Sequence, residues 1–364
     1  MTPKVLFVGR NHYRLPLDAS LARKWDALSA EMDLRVLASG TGTDPRFELV
    51  SPRTLDGPRF YAALPARIAR ELRSFRPDAI VTQSPFEALA AELARRATRS
   101  RAKVVLEVHG DWHTSTRLYG SRLRGALGPL GDRLAGIAVR RADSHRAVSE
   151  FTASLLRAEG REPAAVFTTY SDLGVFTAPV VPVPAEPRVV FVGVLERYKN
   201  IEGLAAAWRI VAARVPEARL HLIGSGRQTE VAESLAREGV EWERRLEPPA
   251  LSAAIDRARA LLLPSASEGL PRVAIEAFLR GRAVVGTRAG GIPDIVRDGE
   301  NGLLVPYGDV EALAAAIERI VTDHELAVGL GAAAAADSTS WVSTPAEYAG
   351  RMRALVETAL AADR

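Results

Sequence analysis

The sequence lacks cysteine altogether and contains no apolar run of membrane-spanning length. Without cysteine, the chain forms no disulfide bond and offers no thiolate ligand to a metal. Without a run of about 20 apolar residues, no transmembrane helix is expected. The first strand-like segment, Val5–Val8, follows Met1 so closely that no signal peptide is expected either. These absences predict a cytoplasmic protein.

Charge is unevenly distributed along the 364 residues. Residues 1–180 hold 27 lysines and arginines against 19 aspartates and glutamates, a net charge of +8, whereas the remainder carries −4. Two runs of arginines stand out in the basic half: Arg95, Arg96, Arg99 and Arg101, then Arg117, Arg122, Arg124, Arg133, Arg140 and Arg141. Two interpretations of these runs are equally favoured. The arginines form solvated helix faces, or they bind an anionic membrane surface or a phosphate-bearing acceptor. Nucleic acid is not expected as a partner, because no recognition motif or aromatic stacking pattern accompanies the arginines.

Short apolar runs alternate with helix-length segments throughout the chain. The first series of predicted strands is 5–8, 34–37, 79–81, 104–108 and 147–148. The second series is 188–194, 220–223, 240–242, 260–263 and 283–285. Such alternation predicts an α/β fold with parallel sheets. The proline-rich residues 177–187 favour a stiff, extended connector between the two series, so we predict two Rossmann-like domains, 1–180 and 181–340.

The segment P-S-A-S-E-G-L-P-R-V-A-I-E, residues 264–276, reads as a strand-to-helix turn. Proline suits the first turn of a helix and glycine its end, so a helix is predicted from Pro271 to Arg280. The start of a helix presents unpaired N–H groups and a positive dipole end. An anion can therefore bind at the turn that precedes and opens this helix, formed by Gly269, Leu270 and Arg272.

Two carboxylates flank this predicted anion site, Glu268 before the helix and Glu276 within it. Carboxylates accept hydrogen bonds from hydroxyl groups, so a phosphate ligand with hydroxyls on both sides, such as a nucleotide sugar, would suit the arrangement. The spacing also allows another interpretation, in which Arg272, Glu276 and Arg280 form an exposed, salt-bridged helix face.

A second candidate segment is F-V-G-V-L-E-R-Y-K-N, residues 191–200, in which a strand leads into a loop. Asn200 is placed to cap a helix over residues 201–213. Ligands of open α/β sheets bind at the carboxyl ends of the strands. Arg197 and Lys199 are therefore candidates to bind a diphosphate there.

These segments resemble the family 4 glycosyltransferases. The resemblance is carried by the E-x7-E spacing of Glu268 and Glu276, by the segment 191–200, and by three further stretches: L-H-L-I-G-S-G at 220–226, G-R-A-V-V-G-T-R-A-G-G-I-P-D-I-V at 281–296 and N-G-L-L-V at 301–305. It implies a GT-B fold, with two Rossmann-like domains across a cleft and a final helix in 341–364 that returns to the first domain. It also implies transfer of a sugar, with retention at the anomeric carbon, from a nucleoside-diphosphate sugar such as a UDP- or GDP-sugar.

The resemblance assigns roles to individual residues of the second domain. Lys199 neutralises the leaving diphosphate, and Arg197 supplies a charge that the family places where Val194 stands here. Glu268 binds hydroxyls of the donor sugar and Glu276 those of the ribose. The remaining donor-binding positions are Gly9, Gly193, Leu246 beside the base, Gly269, Leu270, Pro271 and Arg272.

In the first domain, V-V-L-E-V-H-G-D-W at residues 104–112 is the best landmark. A lone histidine is more often structural, but His109 matches the family histidine that contacts the donor sugar. Asp111 and Trp112 are candidates to line the acceptor side. Gly9 is expected to end the first strand, and Arg14, in the loop after it, is a further acceptor candidate.

No metal or cofactor is predicted, because the sequence shows no Asp-x-Asp motif and no His/Asp cluster. The G-S-G of residues 224–226 is not a dinucleotide fingerprint, since Thr229 stands in place of the third glycine. The acceptor is expected to be a saccharide, a lipid phosphate or a small molecule, with possible peripheral contact to an anionic membrane. Two alternatives stay open: a nucleotide-sugar epimerase of the same fold, and a non-catalytic sugar-nucleotide-binding protein.

Overall fold

The computed structural model describes residues 2–50, 56–114 and 128–362, which divide into two compact units. Unit 1 contains the described residues up to Ser171 and those from Ser343 onward, and unit 2 contains Asp172–Val342. The border therefore lies before the proline-rich segment, whereas the sequence placed it inside that segment, at residue 180.

Unit 1 is built on a parallel sheet of seven strands in the order β3-β2-β1-β4-β5-β6-β7. The strands are β1 (Lys4–Arg14), β2 (Asp33–Thr41), β3 (Phe47–Val50), β4 (Ala79–Thr82), β5 (Lys103–Val108), β6 (Ser144–Ala147) and β7 (Ala165–Val166). Its helices are α1 (Ala19–Glu31), α2 (Asp56–Ser74), α3 (Pro85–Thr98), α4 (Gly128–Arg141), α5 (Glu150–Ala158) and, after unit 2, α12 (Pro345–Ala361).

Unit 2 is built on a parallel sheet of six strands in the order β10-β9-β8-β11-β12-β13. The strands are β8 (Arg188–Val192), β9 (Arg219–Ile223), β10 (Glu241–Glu243), β11 (Ala260–Leu263), β12 (Ala283–Thr287) and β13 (Gly302–Val305). The helices are α6 (Ile201–Arg214), α7 (Thr229–Arg237), α8 (Pro248–Asp256), α9 (Arg272–Leu279), α10 (Val310–Thr322) and α11 (His324–Ser338).

The α/β fold with parallel sheets is confirmed, and several predicted elements match within one or two residues. Strand β11 has the predicted bounds, and helix α9 begins one residue later and ends one residue earlier than predicted. Strand β6 was misplaced: the prediction overlaps it only at Ala147, because its S-H-R-A sequence is mostly polar although all four residues are buried. Strands β3, β7 and β13 were missed, and none of the three is longer than four residues.

The first strand does not end at Gly9. Strand β1 continues to Arg14, with an irregularity in its pairing with β2 between Val8 and His12. A Cβ at position 9 would lie 2.3 Å from Oε1 of Gln83, so a larger residue there would require the Gln83 side chain to move. Gly9 is therefore an internal residue of β1, and its part in donor binding stays a prediction.

The proline-rich segment is held to unit 2 by buried arginines. Arg280 donates to the carbonyls of Phe176, Ala178 and Pro179, and Arg282 to those of Val181 and Pro182. Arg259 donates to Pro184 and Ala185. The carbonyls of a proline-rich chain find few backbone donors nearby, because proline has no N–H. The segment is therefore a part of unit 2 that is bound along its length.

The final helix α12 packs within unit 1. Its apolar side chains Tyr348, Met352 and Val356 are buried in one cluster with Trp25 of α1. Among the described residues, no helix combines the length and the apolar character that crossing a bilayer requires.

Candidate functional site

The central feature of unit 2 is an ion pair between residues 69 positions apart. Nζ of Lys199 donates to Oε1 of Glu268 at 2.6 Å. Lys199 follows strand β8 and Glu268 follows β11, and these two strands are hydrogen-bonded neighbours. The side chains are 9% and 12% exposed, so the pair lies at the carboxyl ends of the central strands with a small part open to solvent.

Backbone contacts hold the two loops together. The N–H of Ala266 donates to the carbonyl of Tyr198 at 2.6 Å, which ties the loop after β11 to the loop after β8. Glycine is needed around the pair because space is short. A Cβ at Gly193 would lie 3.3 Å from Cε of Lys199, and a Cβ at Gly290, where φ is +58°, would lie 2.5 Å from the backbone N of Glu268.

The turn after Glu268 leads into the N-terminus of helix α9, as predicted. Gly269 and Leu270 form the turn, and Pro271 occupies the N-cap position, where no side chain caps the helix. Arg272 is the first helical residue, and its side chain is 54% exposed. The dipole end of this helix and the Lys199 ammonium therefore belong to neighbouring loops at one edge of the sheet.

Glu276 lies one turn further along α9 and is almost fully buried. Its carboxylate accepts from Nε of Arg272 at 2.7 Å, and its side chain is 6% exposed. Burial raises the pKa of Glu276, and the charge of Arg272 acts in the opposite direction. Of the alternative interpretation, the salt bridge between Arg272 and Glu276 is confirmed. The exposed face is wrong, because Glu276 is buried and Arg280 pairs with Asp256 instead.

Three further residues of unit 2 differ in their exposure and in their contacts. Arg197 opens a short 3₁₀ turn, Arg197–Lys199, and its side chain is exposed. Asn200 occupies the N-cap of α6 in a left-handed conformation, but its side chain makes no capping hydrogen bond, unlike the prediction. Leu246 is half-buried against the apolar cluster that contains Ile223 and Leu263.

One group of possible metal ligands escaped the sequence analysis. Among the described residues, His221, Glu241 and Glu243 bring their ligand atoms within 4.8 Å of one another. They lie on β9 and the edge strand β10, whereas Lys199 and Glu268 follow β8 and β11. Glu241 pairs with Arg188, and Glu243 accepts from the imidazole of His221 at 3.0 Å, so both carboxylates already have partners.

In unit 1, His109 follows strand β5 and is half-buried. Its Nδ1 lies 3.4 Å from Oγ1 of Thr169, and its Nε2 lies 3.7 Å from Oε2 of Glu107. Glu107 is 2% exposed and pairs with Arg146, which is fully buried. Burial alone would raise the pKa of Glu107, but the charge of Arg146, with His109 and Lys24, lowers it to about 2.

Glu107 and Arg146 were not among the predicted site residues. They face each other in the register of the parallel strands β5 and β6. A charged residue inside an otherwise apolar strand, as in V-V-L-E-V-H, is a signal that could have found the first of them, because a buried charge requires a partner. Arg146 gave a weaker signal, since its own strand was misplaced.

The residues predicted to bind the acceptor differ in their burial and hydrogen bonds. The indole of Trp112 is 4% exposed and packs in the core of unit 1, and its part in acceptor binding stays a prediction. Asp111 accepts hydrogen bonds from the N–H of His113 and the hydroxyl of Thr114. Arg14 is exposed at the end of β1. In the arginine runs, Arg117, Arg122 and Arg124 lie outside the described residues.

Comparisons with known proteins match both halves of the chain. The Glycosyltransferase Family 4 model matches residues 19–170, and the model described as Glycosyl transferases group 1 matches residues 186–323. Sulfoquinovosyl transferase SQD2 of Arabidopsis thaliana is 35% identical over 155 residues, which are 42% of this chain and 30% of that protein. The match spans less than half the length of the curated relatives.

Solved structures match over nearly the whole length. Sucrose-phosphate synthase (tll1590) from Thermosynechococcus elongatus has a TM-score of 0.76 and 22% identity, covering 99% of this chain and 100% of that chain. Anabaena Alr3699/HepE in complex with UDP-glucose has a TM-score of 0.71 and 18% identity, covering 97% and 99%. At these identities, the likeness concerns the fold.

The predicted family is thus confirmed by matches in each unit and by a shared architecture along the chain. The chain belongs to the family 4 glycosyltransferases and has their GT-B fold.

Proposed function

We propose that this protein transfers a sugar from a nucleoside-diphosphate sugar to an acceptor hydroxyl, with retention at the anomeric carbon and without a divalent metal. The observation that carries the proposal is the contact of Lys199 with Glu268, beside the N-terminus of α9. It supports a site where a cation and a helix dipole act on a diphosphate while a carboxylate accepts hydroxyls.

In the proposed reaction, the bond between the anomeric carbon and the diphosphate oxygen breaks, and its electron pair leaves with the diphosphate. The acceptor oxygen forms the new bond to that carbon, and the acceptor releases its proton. Negative charge therefore grows on the diphosphate in the transition state. Lys199, the exposed Arg197 and the start of α9 would stabilise that charge electrostatically, which is the role a divalent metal would otherwise have.

The proposed contacts to the donor follow from the surroundings of each side chain. When a diphosphate binds Lys199, Glu268 loses its cationic partner and becomes available to hydroxyls of the donor sugar. Glu276 would bind the ribose hydroxyls and Leu246 the base. Gly193, Gly269, Leu270, Pro271 and Arg272 would shape the diphosphate site. UDP is a reasonable donor diphosphate, since the structural neighbour Alr3699/HepE was solved with UDP-glucose.

On the acceptor side, we propose that unit 1 binds the acceptor and that His109 acts on the transferred sugar. The net charge of +8 in residues 1–180 supports an acceptor that carries phosphate or lies on an anionic membrane. Flotation with anionic liposomes at low and high salt tests the membrane contact. We expect the protein to bind the liposomes at low salt and to be released at high salt.

Thermal unfolding in the presence of UDP, GDP, ADP and their sugars tests the donor site, because a ligand that binds only the folded protein raises its melting temperature. We expect one diphosphate and its sugars to raise it, and the corresponding monophosphate to do so much less. The stabilising sugar nucleotide is then incubated with saccharide, lipid-phosphate and small-molecule acceptors. A glycosylated product supports transfer, an epimer formed without acceptor indicates an epimerase, and binding without turnover indicates a sensor.

A further inference from the structure

Both ring nitrogens of His109 face polar side chains of unit 1. Nδ1 lies 3.4 Å from the hydroxyl oxygen of Thr169, and Nε2 lies 3.7 Å from a carboxylate oxygen of Glu107. Nε2 is buried and makes no hydrogen bond with the described residues, although the side chain as a whole is 34% exposed. Polar groups of the protein therefore face the ring at both of its nitrogens.

A single guanidinium connects these two groups. Nη1 of Arg146 donates to Oε1 of Glu107, and Nη2 donates to Oγ1 of Thr169 at 3.2 Å and to the carbonyl of Phe167 at 2.8 Å. The guanidinium carbon also lies 4.1 Å from the centre of the Phe167 ring. Arg146 is fully buried, so it holds both neighbours of His109 from inside the unit.

The direction of these hydrogen bonds follows from the chemistry of the groups. A guanidinium only donates, so the oxygen of Thr169 accepts from Arg146 and keeps one hydrogen to donate and one lone pair with which to accept. In neutral histidine, one nitrogen accepts and the other carries the hydrogen. The carboxylate of Glu107 faces Nε2 and attracts an N–H there, which leaves Nδ1 to accept the hydroxyl hydrogen of Thr169.

We propose that Glu107, Arg146 and Thr169 are positioning residues that hold the ring of His109 and keep its hydrogen on Nε2. Their relevance to sugar transfer rests on the proposed function, whereas the tautomer itself does not. The three residues come from the ends of β5 and β6 and from the segment after β7, so the carboxyl edge of the sheet in unit 1 builds the arrangement.

The tautomer is measurable by NMR of the protein labelled with 15N in its six histidines, because protonated and unprotonated ring nitrogens resonate in separate regions. The His109→Gln variant assigns the His109 signals by their disappearance. We expect neutral His109 to carry its hydrogen on Nε2 in the unmodified protein. A hydrogen on Nδ1 would overturn the proposal.

Thr169→Val removes the hydroxyl and keeps the side-chain shape. We expect it to turn the single tautomer of His109 into a mixture, and Thr169→Ser to restore the single form. The matched control is Thr98→Val, because the hydroxyl of Thr98 bonds to Ala94 within its own helix, and this variant should leave the His109 signals in place. An unchanged tautomer in Thr169→Val would overturn the proposal. A second test is Glu107→Gln, which removes the anion facing Nε2 and is followed by the same His109 signals.

Activity measurements separate this inference from the proposed function. If His109→Gln transfers sugar at the normal rate, the role of His109 in transfer is wrong, and the NMR result still decides the tautomer. If His109 acts on the sugar, we expect Thr169→Val to lower kcat about tenfold with little change in KM, and serine to restore it.

Discussion

Each unit carries a carboxylate paired with a cation at the carboxyl end of its parallel sheet, but the two pairs have different surroundings. The pair in unit 1, Glu107 with Arg146, is 2% and 0% exposed, and its guanidinium has further acceptors. The pair in unit 2, Lys199 with Glu268, is 9% and 12% exposed. An enclosed pair can stabilise the fold and position its neighbours, because no ligand reaches it to replace either partner. A partly open pair can exchange one partner for a ligand.

The largest effect on stability is expected from Arg146→Met. It leaves the carboxylate of Glu107 buried without its cation, which costs about 3–5 kcal/mol of the free energy of unfolding. Urea unfolding measures the loss. Arg140→Met is the matched control, since Arg140 is 52% exposed in its pair with Glu159 and should cost below about 1 kcal/mol. Equal losses in the two variants would contradict the distinction between the pairs.

Lys199→Ala is expected to lower the activity strongly and the stability little, the reverse of what we expect for Arg146→Met. It should lower turnover about 100- to 1,000-fold, because the leaving diphosphate loses its cation, while the melting temperature changes little. Steady-state kinetics with the identified donor, combined with thermal unfolding, check both parts. The exposed Arg209, which pairs with Glu238, gives the control Arg209→Ala. Near-normal turnover in Lys199→Ala would refute the leaving-group role.

A third buried carboxylate, Glu87, forms no ion pair with a cation of the described residues. Glu87 is 2% exposed, and burial raises its pKa from 4.5 to about 7 in spite of hydrogen bonds from Ser84 and the N–H of Arg10. A raised pKa means that its contribution to stability is complete below pH 4.5 and is lost as the pH rises through 7, by at most about 3 kcal/mol. For Glu107, with its lowered pKa, stability is lost as the pH falls through 2.

Glu87→Gln should therefore flatten the decline in stability between pH 4.5 and 8. Urea unfolding across that range measures it, with Glu238→Gln, whose side chain is 40% exposed, as the control. If Glu87→Gln loses as much stability between pH 4.5 and 8 as the unmodified protein does, Glu87 is not the source of that loss.

The smallest effect is expected from Glu276→Gln. The amide still accepts one hydrogen bond but loses the charge that pairs with Arg272 and would bind the ribose hydroxyls. We expect the affinity for the nucleoside diphosphate to fall about tenfold, or about 1.4 kcal/mol, by isothermal titration calorimetry. The affinity for inorganic pyrophosphate should not change, since it has no ribose. Equal losses for both ligands would place Glu276 at the diphosphate instead.

The pattern of apolar and turn-forming residues along the sequence was enough to predict much of the secondary structure of unit 2. The apolar run at 260–263 and the turn before α9 depend on residues close in sequence, and the structure matches them closely. The same pattern failed at β6, because burial of Ser144, His145 and Arg146 follows from partners that a window of sequence does not contain. The burial of Trp112 was not predicted for a related reason, since its neighbours in the motif are polar while its own side chain faces the core.

The sequence by itself determined the parallel α/β architecture, the family, and the loops from which Lys199, Glu268 and His109 arise, because each depends on spacing and turn residues along the chain. Only the tertiary structure decided which groups meet. Strand order made neighbours of β8 and β11 and so joined Lys199 to Glu268. Strand register set Glu107 opposite Arg146. Order and register depend on contacts between segments far apart in sequence, and a buried charge finds its partner only when those segments have packed.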